Sequence, residues 1–340
     1  YSIRATGSNI PPAARFRLPA ASWSAATPWS AKMATALKAL GLQQGDHIGI
    51  LSKNCYHWIL ADLAILMGGY VSVPYYASLP KKQLEEVIQL SDIKLLFAGK
   101  LEKWDNKSEA IPEDVQVIKF PHYEGFSKIE EGEEWFSFMD KHEPMQGEPS
   151  PDLDDIWTIV FTSGTTGTPK GIIRDTGGYA TALKFSMKYI YGVDEGDTFW
   201  AASDVGWVVG HSYIVYGPLL NRNTTILFEG KPIKTPDAST FWRIIAENKV
   251  KVMFTAPTAI RAIKKEDPNG EFIKKYDLSC LKYQFLAGER CDAATLHWLE
   301  NQLKIPVIDH WWQTESGWPM VANMVGVGLQ EVKPGSASFP

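Results

Sequence analysis

Apolar residues recur along the chain in two alternating rhythms. Over residues 30–40, Met33, Ala36, Leu37 and Leu40 share one face at helical spacing, and Gly41 marks the stop. The Gly45-Asp46 turn then leads into a short apolar run at 47–51 that reads as a strand. The alternation continues with a helix over 54–69 carrying Trp58, Leu60, Leu63, Ala64 and Met67, a strand at 71–74, a helix over 81–90 and a strand at 93–97. Further on, strands are expected at 156–161, 197–202, 224–228, 252–255 and 283–286, with helices at 180–190 and 241–249. Strands separated by helices predict an α/β fold with a parallel sheet covered on both faces. Residues 100–155 break the pattern. They are acidic and rich in turns, with Glu130, Glu131, Glu133 and Glu134 clustered, and predict a solvated excursion. The expected division is a poorly ordered leader over 1–29, a first α/β subdomain over 30–155 and a second over 156–340.

Composition narrows this picture only a little. A chain of 340 residues, 45% hydrophobic and 21% charged, can bury one large core or two ordinary ones. No apolar run approaches the ~20 residues needed to span a bilayer. A net charge of -5 supplies no basic face for nucleic acid. Three cysteines, Cys55, Cys280 and Cys291, show no metal spacing, and each is expected to be a small core residue in a reduced compartment. Arg4, Arg15 and Arg17 stand in a stretch without acidic residues, the composition of a transit peptide or of a disordered leader. The expected location is cytoplasmic, with the mitochondrial matrix as the alternative.

Candidate chemistry concentrates where strands run out. The run 156–161 breaks into Thr162, Ser163, Gly164, Thr165, Thr166 and Gly167, followed by Lys170 and Gly171. Two glycines allow close backbone approach, four hydroxyls donate, and a lysine adds positive charge, so a phosphate is the natural guest. A plain surface loop has the same composition. The segment is not a Walker A loop, because no helix-opening hydroxyl follows the lysine. Further along, Gly206 and Gly210 bracket Trp207, Val208 and Val209, which reads either as a pocket lining or as a tight turn with buried valines. Two more turns, 287–290 and 309–317, follow expected strands, and ligands of open parallel sheets collect at such ends. Glu315 in the second is a hard oxygen ligand of the kind magnesium takes, or simply a solvated side chain.

The run 162–171, Thr-Ser-Gly-Thr-Thr-Gly-Thr-Pro-Lys-Gly, resembles the phosphate loop of the adenylate-forming superfamily, which includes acyl-CoA synthetases. Residues 41–99 are most similar to long-chain acyl-CoA synthetases. The passages 203–213, 254–261, 287–291 and 309–317 resemble the acetyl- and propionyl-CoA synthetases, and the last two the propionate-preferring group. The resemblance implies the large N-terminal domain of that fold, with parallel-rich sheets in two subdomains, and a small C-terminal domain beyond Pro340.

By the same likeness, Thr162, Ser163, Gly164, Thr165, Thr166, Gly167 and Lys170 hold ATP phosphates, and Gly288, Glu289 and Arg290 lie against adenine. Asp309, His310, Trp311 and Gln313 line the nucleotide cleft, Thr314 meets the α-phosphate and Glu315 holds magnesium. The acyl pocket is formed by Trp207, Val208, Val209, Ala287 and Trp312, with Ala256 bordering the CoA tunnel. The implied reaction joins a short-chain carboxylate to CoA through an acyl-adenylate. The indole of Trp312 closes the pocket to long chains, and Ala287 in place of a valine leaves room for about one more carbon, favouring propionate over acetate. The lysine and ribose-binding aspartate of the family are not found before Pro340, so weak adenylation is expected of this chain. A non-catalytic nucleotide-binding module is the alternative reading.

Overall fold

The computed structural model describes residues 2–6, 15–17, 28–147, 149–162 and 167–338. In chain order the strands are β1 (Ser2–Thr6), β2 (Arg15–Arg17), β3 (His47–Ser52), β4 (Val71–Tyr75), β5 (Leu95–Gly99), β6 (Gln116–Lys119) and β7 (Glu133–Glu134). They continue as β8 (Ile156–Thr162), β9 (Lys170–Asp175), β10 (Thr198–Ala201), β11 (Thr224–Phe228), β12 (Val250–Thr255), β13 (Tyr283–Leu286) and β14 (Val307–Asp309). The chain divides into two compact units, each built on one sheet. One comprises Leu18–Tyr179 with Val205–Val208; the other comprises Tyr1–Arg17, Ala180–Asp204 and Val209–Pro340.

The unit containing Leu18–Tyr179 holds the sheet β7-β6-β5-β3-β4-β8-β9, parallel throughout except for the terminal hairpin of β8 and β9. Ile48, Ile50 and Leu51 of β3 are fully buried, as expected of a central strand in a parallel sheet covered on both faces. The helix Tyr56–Gly68 buries Trp58, Ile59, Leu63, Ala64 and Ile65. It packs against the helix Pro28–Ala39, where Ser30 Oγ donates to the Leu60 carbonyl at 3.1 Å. The helix closes at Gly69, whose φ of 83° is left-handed and whose N–H caps the Ile65 and Leu66 carbonyls.

Residues 100–155 depart from the expected solvated excursion. They add β6 and β7 to the parallel sheet and bury Trp104, Trp135, Phe138 and Met139. The acidic cluster does lie outside, with Lys128 paired to Glu130 and Lys141 to Glu133, while Glu131 accepts the Trp104 indole N–H at 2.8 Å. The charge run marks one face, and the aromatics between the charges supply the core.

The other unit holds the sheet β14-β13-β12-β10-β11-β1-β2, in which all neighbours are parallel except β1 and β2. Two strands therefore fall among the residues expected to form a leader. One side of the sheet is filled by Trp200, Phe241, Trp242, Ile245, Met253, Leu296, Leu299 and Val307. The α-helix expected at 180–190 is α-helical only through Phe185 and continues as the wider π turn Ser186–Ile190. Where Gly206 to Gly210 allowed a tight turn as the alternative to a pocket lining, the chain is instead helical from Val208, with a π turn at His211–Tyr216 and an α turn at Gly217–Leu220. Gly210, which reads in the sequence as a turn residue, has an ordinary helical φ of -66°. Among the described residues no helix is long and apolar enough to cross a membrane.

Candidate functional site

In the unit containing Leu18–Tyr179, the hairpin of β8 and β9 carries the start and end of the phosphate-loop motif. Thr162 closes β8 and pairs with Lys170, the first residue of β9, and Gly167 has a left-handed φ of 82°. Ser163, Gly164, Thr165 and Thr166 lie outside the described residues. Lys170 is exposed. Trp207 and Val208 also belong to this unit: Trp207 is half-exposed and packs on Tyr76 with ring centroids 4.2 Å apart, and Tyr76 donates to the Phe161 carbonyl at 3.1 Å. Val208 is buried.

In the unit containing Val209–Pro340, register gathers the remaining candidates. Thr255 pairs with Leu286, and Leu286 with Asp309, so the turns after β12, β13 and β14 leave the sheet at one level. That edge carries Ala256, then Ala287 with Gly288, Glu289 and Arg290, then the loop from Asp309 through Glu315. Gly288 needs a backbone with φ of 99°, which L side chains rarely adopt. Ala287 is buried, whereas Glu289 and Arg290 are exposed. The turn after β13 is tied from both sides. Glu289 accepts from Thr258 and pairs with Arg261 at 2.6 Å, two residues one turn apart on the helix Pro257–Glu266. These hydrogen bonds, Thr258 first and Arg261 second, hold the Glu289 carboxyl below its ordinary pKa. From the other side, the buried Asp309 carboxylate accepts the Cys291 N–H at 3.0 Å. Burial raises the Asp309 pKa and pushes the Cys291 thiol up to about 12, leaving that thiol unreactive at neutral pH.

The loop after β14 is pinned at its base by an antiparallel bridge between Trp311 and Val321. Trp311, Gln313 and Glu315 are exposed, and Trp312 and Thr314 are partly buried. His310 instead points into an aromatic core formed by Tyr191, Phe254 and Phe285. Its Nδ1–H donates to the Leu286 carbonyl at 2.7 Å, so Nε2 accepts from Tyr191 OH at 3.0 Å. With both nitrogens used and burial holding its pKa near 4, His310 is neutral and structural. Val209 is partly buried in this unit. Among the described residues no cluster of three or more His, Cys, Asp or Glu forms a metal site. A single exposed carboxylate such as Glu315 suits magnesium only when a substrate supplies further oxygens.

Thr258, Arg261, Ser212 and Tyr213 stand outside the candidate residues of the sequence. The three-residue spacing of 258 and 261, just past the strand expected at 252–255, was the available signal for the first pair; the second pair gave none.

Two parallel-rich sheets flanked by helices, one of them with three strand-end turns at one level, define an α/β class of protein. The chain belongs to the AMP-binding enzyme family, whose model matches residues 13–340. It is 41% identical over 330 residues to an uncharacterized protein of Pseudomonas aeruginosa, covering 91% of this chain and 51% of that one. It is 40% identical over 322 residues to acyl-CoA synthetase short-chain family member 3, mitochondrial, of Bos taurus, covering 89% of this chain and 46% of that one. A 182-residue stretch is 52% identical to the propionate–CoA ligase of Escherichia coli, covering 54% of this chain and 28% of that one. The chain thus spans about half the length of the curated relatives it matches over most of itself.

Proposed function

We propose that this chain carries the nucleotide- and acyl-binding part of an AMP-forming acid–thiol ligase acting on a short-chain carboxylate, with propionate preferred to acetate. In the proposed reaction the carboxylate attacks the α-phosphate of ATP, giving acyl-adenylate and pyrophosphate. The thiol of CoA then displaces AMP to give the thioester. The observation that carries the reading is the register of β12, β13 and β14, which brings the adenine-type turn of Gly288 to Arg290 level with the loop of Trp312, Thr314 and Glu315.

In this reading the hydroxyls and Lys170 of the β8–β9 hairpin hold phosphate oxygens, Glu315 holds the magnesium that accompanies the nucleotide, and Ala256 borders the path of CoA. Magnesium supplies charge neutralisation on the phosphates. Ala287 and Trp312 bound the acyl group, the small side chain leaving space and the indole limiting depth. The similarity to a propionate–CoA ligase supports this choice of acid. The difference of one methylene is worth ~1 to 3 kcal/mol, so leakage to acetate and butyrate is expected.

Pyrophosphate release tests the reading. With ATP and magnesium, the chain is expected to release pyrophosphate slowly but in proportion to added propionate, and more slowly with acetate. ATP binding with no carboxylate-dependent release would favour a non-catalytic nucleotide-binding module. Release driven by palmitate and not by propionate would overturn the pocket assignment.

A further inference from the structure

The π turn His211–Tyr216 is buried throughout and lies against the loop that carries Trp312, yet none of its residues belongs to the site proposed above. Two of its side chains reach that loop. Ser212 Oγ donates to the Gly317 carbonyl at 2.6 Å, a buried bond that fastens the far side of the loop. Tyr213 places its ring edge-on against Trp312, with centroids 5.5 Å apart and planes at 75°, and Phe254 backs the same indole at 6.1 Å. Tyr213 is itself fixed: its hydroxyl meets Ser186 Oγ at 2.8 Å, and its ring packs edge-on against Tyr191. Tyr191 in turn donates to His310, one residue from the strand end that launches the loop. The indole therefore rests on two aromatic rings, of which Tyr213 is held by a buried hydrogen bond and by its packing on Tyr191. Widened helical turns of this kind recur at functional sites, where the extra residue re-aims the side chains around it.

We propose that the turn His211–Tyr216 positions Trp312 and so sets the acyl chain length, with Ser212 latching the loop and Tyr213 forming the seat behind the indole. Neither residue needs to touch the acyl group. The depth of the pocket is fixed by how far the indole can retreat. A ring behind it prevents retreat, and a smaller side chain opens space into which the indole settles, lengthening the pocket. The inference rests on the reading of Trp312 as the acyl wall.

The test is calorimetric titration of the 340-residue chain with propyl-AMP and hexyl-AMP, alkyl phosphate esters that mimic acyl-adenylates of two lengths. The readout is the ratio of the two affinities, which a general loss of stability does not move. Trp312→Gly is expected to raise the hexyl-to-propyl ratio by at least about tenfold, as more than one methylene is admitted. Tyr213→Leu should raise it about tenfold and Ser212→Ala about threefold, while Tyr213→Phe, which keeps the ring, should leave it within about twofold. If Trp312→Gly broadens the profile while Tyr213→Leu and Ser212→Ala keep the original ratio, the positioning role is overturned and the acyl-wall reading stands. If Trp312→Gly itself changes nothing, the acyl-wall reading fails and the inference falls with it. Should Tyr213→Leu not fold, Ser212→Ala decides alone, since it removes one hydroxyl and no packing volume.

Discussion

The imidazole of His310 shows how one side chain can couple acidity to folding. In the unfolded chain it titrates near 6.5; in the folded chain burial lowers that value to about 4. A lowered folded value means that the unfolded state takes up the proton first. The contribution is therefore fully present above pH 6.5 and is lost as the pH falls from there towards 4, by about 3 kcal/mol at most. Denaturant titrations at a series of pH values should show this slope, and His310→Gln should flatten it while lowering stability at neutral pH. His57 in the other unit, lowered to about 3 by burial, will add a second slope that the substitution does not touch. The sequence places His310 among the nucleotide-cleft residues because its neighbours carry that motif. Its orientation depends on Tyr191, Phe254 and Phe285, which come from three distant parts of the chain. Motif order reveals the neighbourhood of a residue but not the side it faces.

Among the elements, those with a strong period were legible and those defined by a partner were not. The helix Tyr56–Gly68 and the strands Val71–Tyr75 and Thr224–Phe228 lie within about two residues of the sequence reading, because apolar spacing and a terminal glycine are local signals. By contrast, β9 is a hairpin partner with an exposed Ile173, and β6 and β7 are short strands among charges, so their identity comes from the neighbours they pair with. The helix Ala293–Leu303 offers a test at this scale. Asp292 caps it by accepting the Thr295 N–H at 2.8 Å, and that bond is the first cause of its lowered pKa. Asp292→Ala should cost about 1 kcal/mol, seen as a lower melting temperature, and Asp292→Asn should restore most of it. Its pairing with Arg261 is exposed and adds little.

At the scale of the molecule, alternation of strands and helices was enough to predict parallel sheets, but not their order. Nothing local says that β1, from the first residues, lies beside β11 more than two hundred positions away, or that β10 and not β11 neighbours β12. Those choices are made by which apolar faces can be covered together. The core around Trp242 is one such face, and Trp242→Ala should cost about 3–5 kcal/mol, read as lost hydrogen-exchange protection across β10, β12 and β13. The shared register of β12, β13 and β14 carries a consequence for ancestry and for engineering. Its rungs are made of main chain, indifferent to what hangs beyond the last one. A lineage, or a chemist with a randomised library, can rewrite that fringe in search of new ligands while the scaffold underneath goes on folding as before.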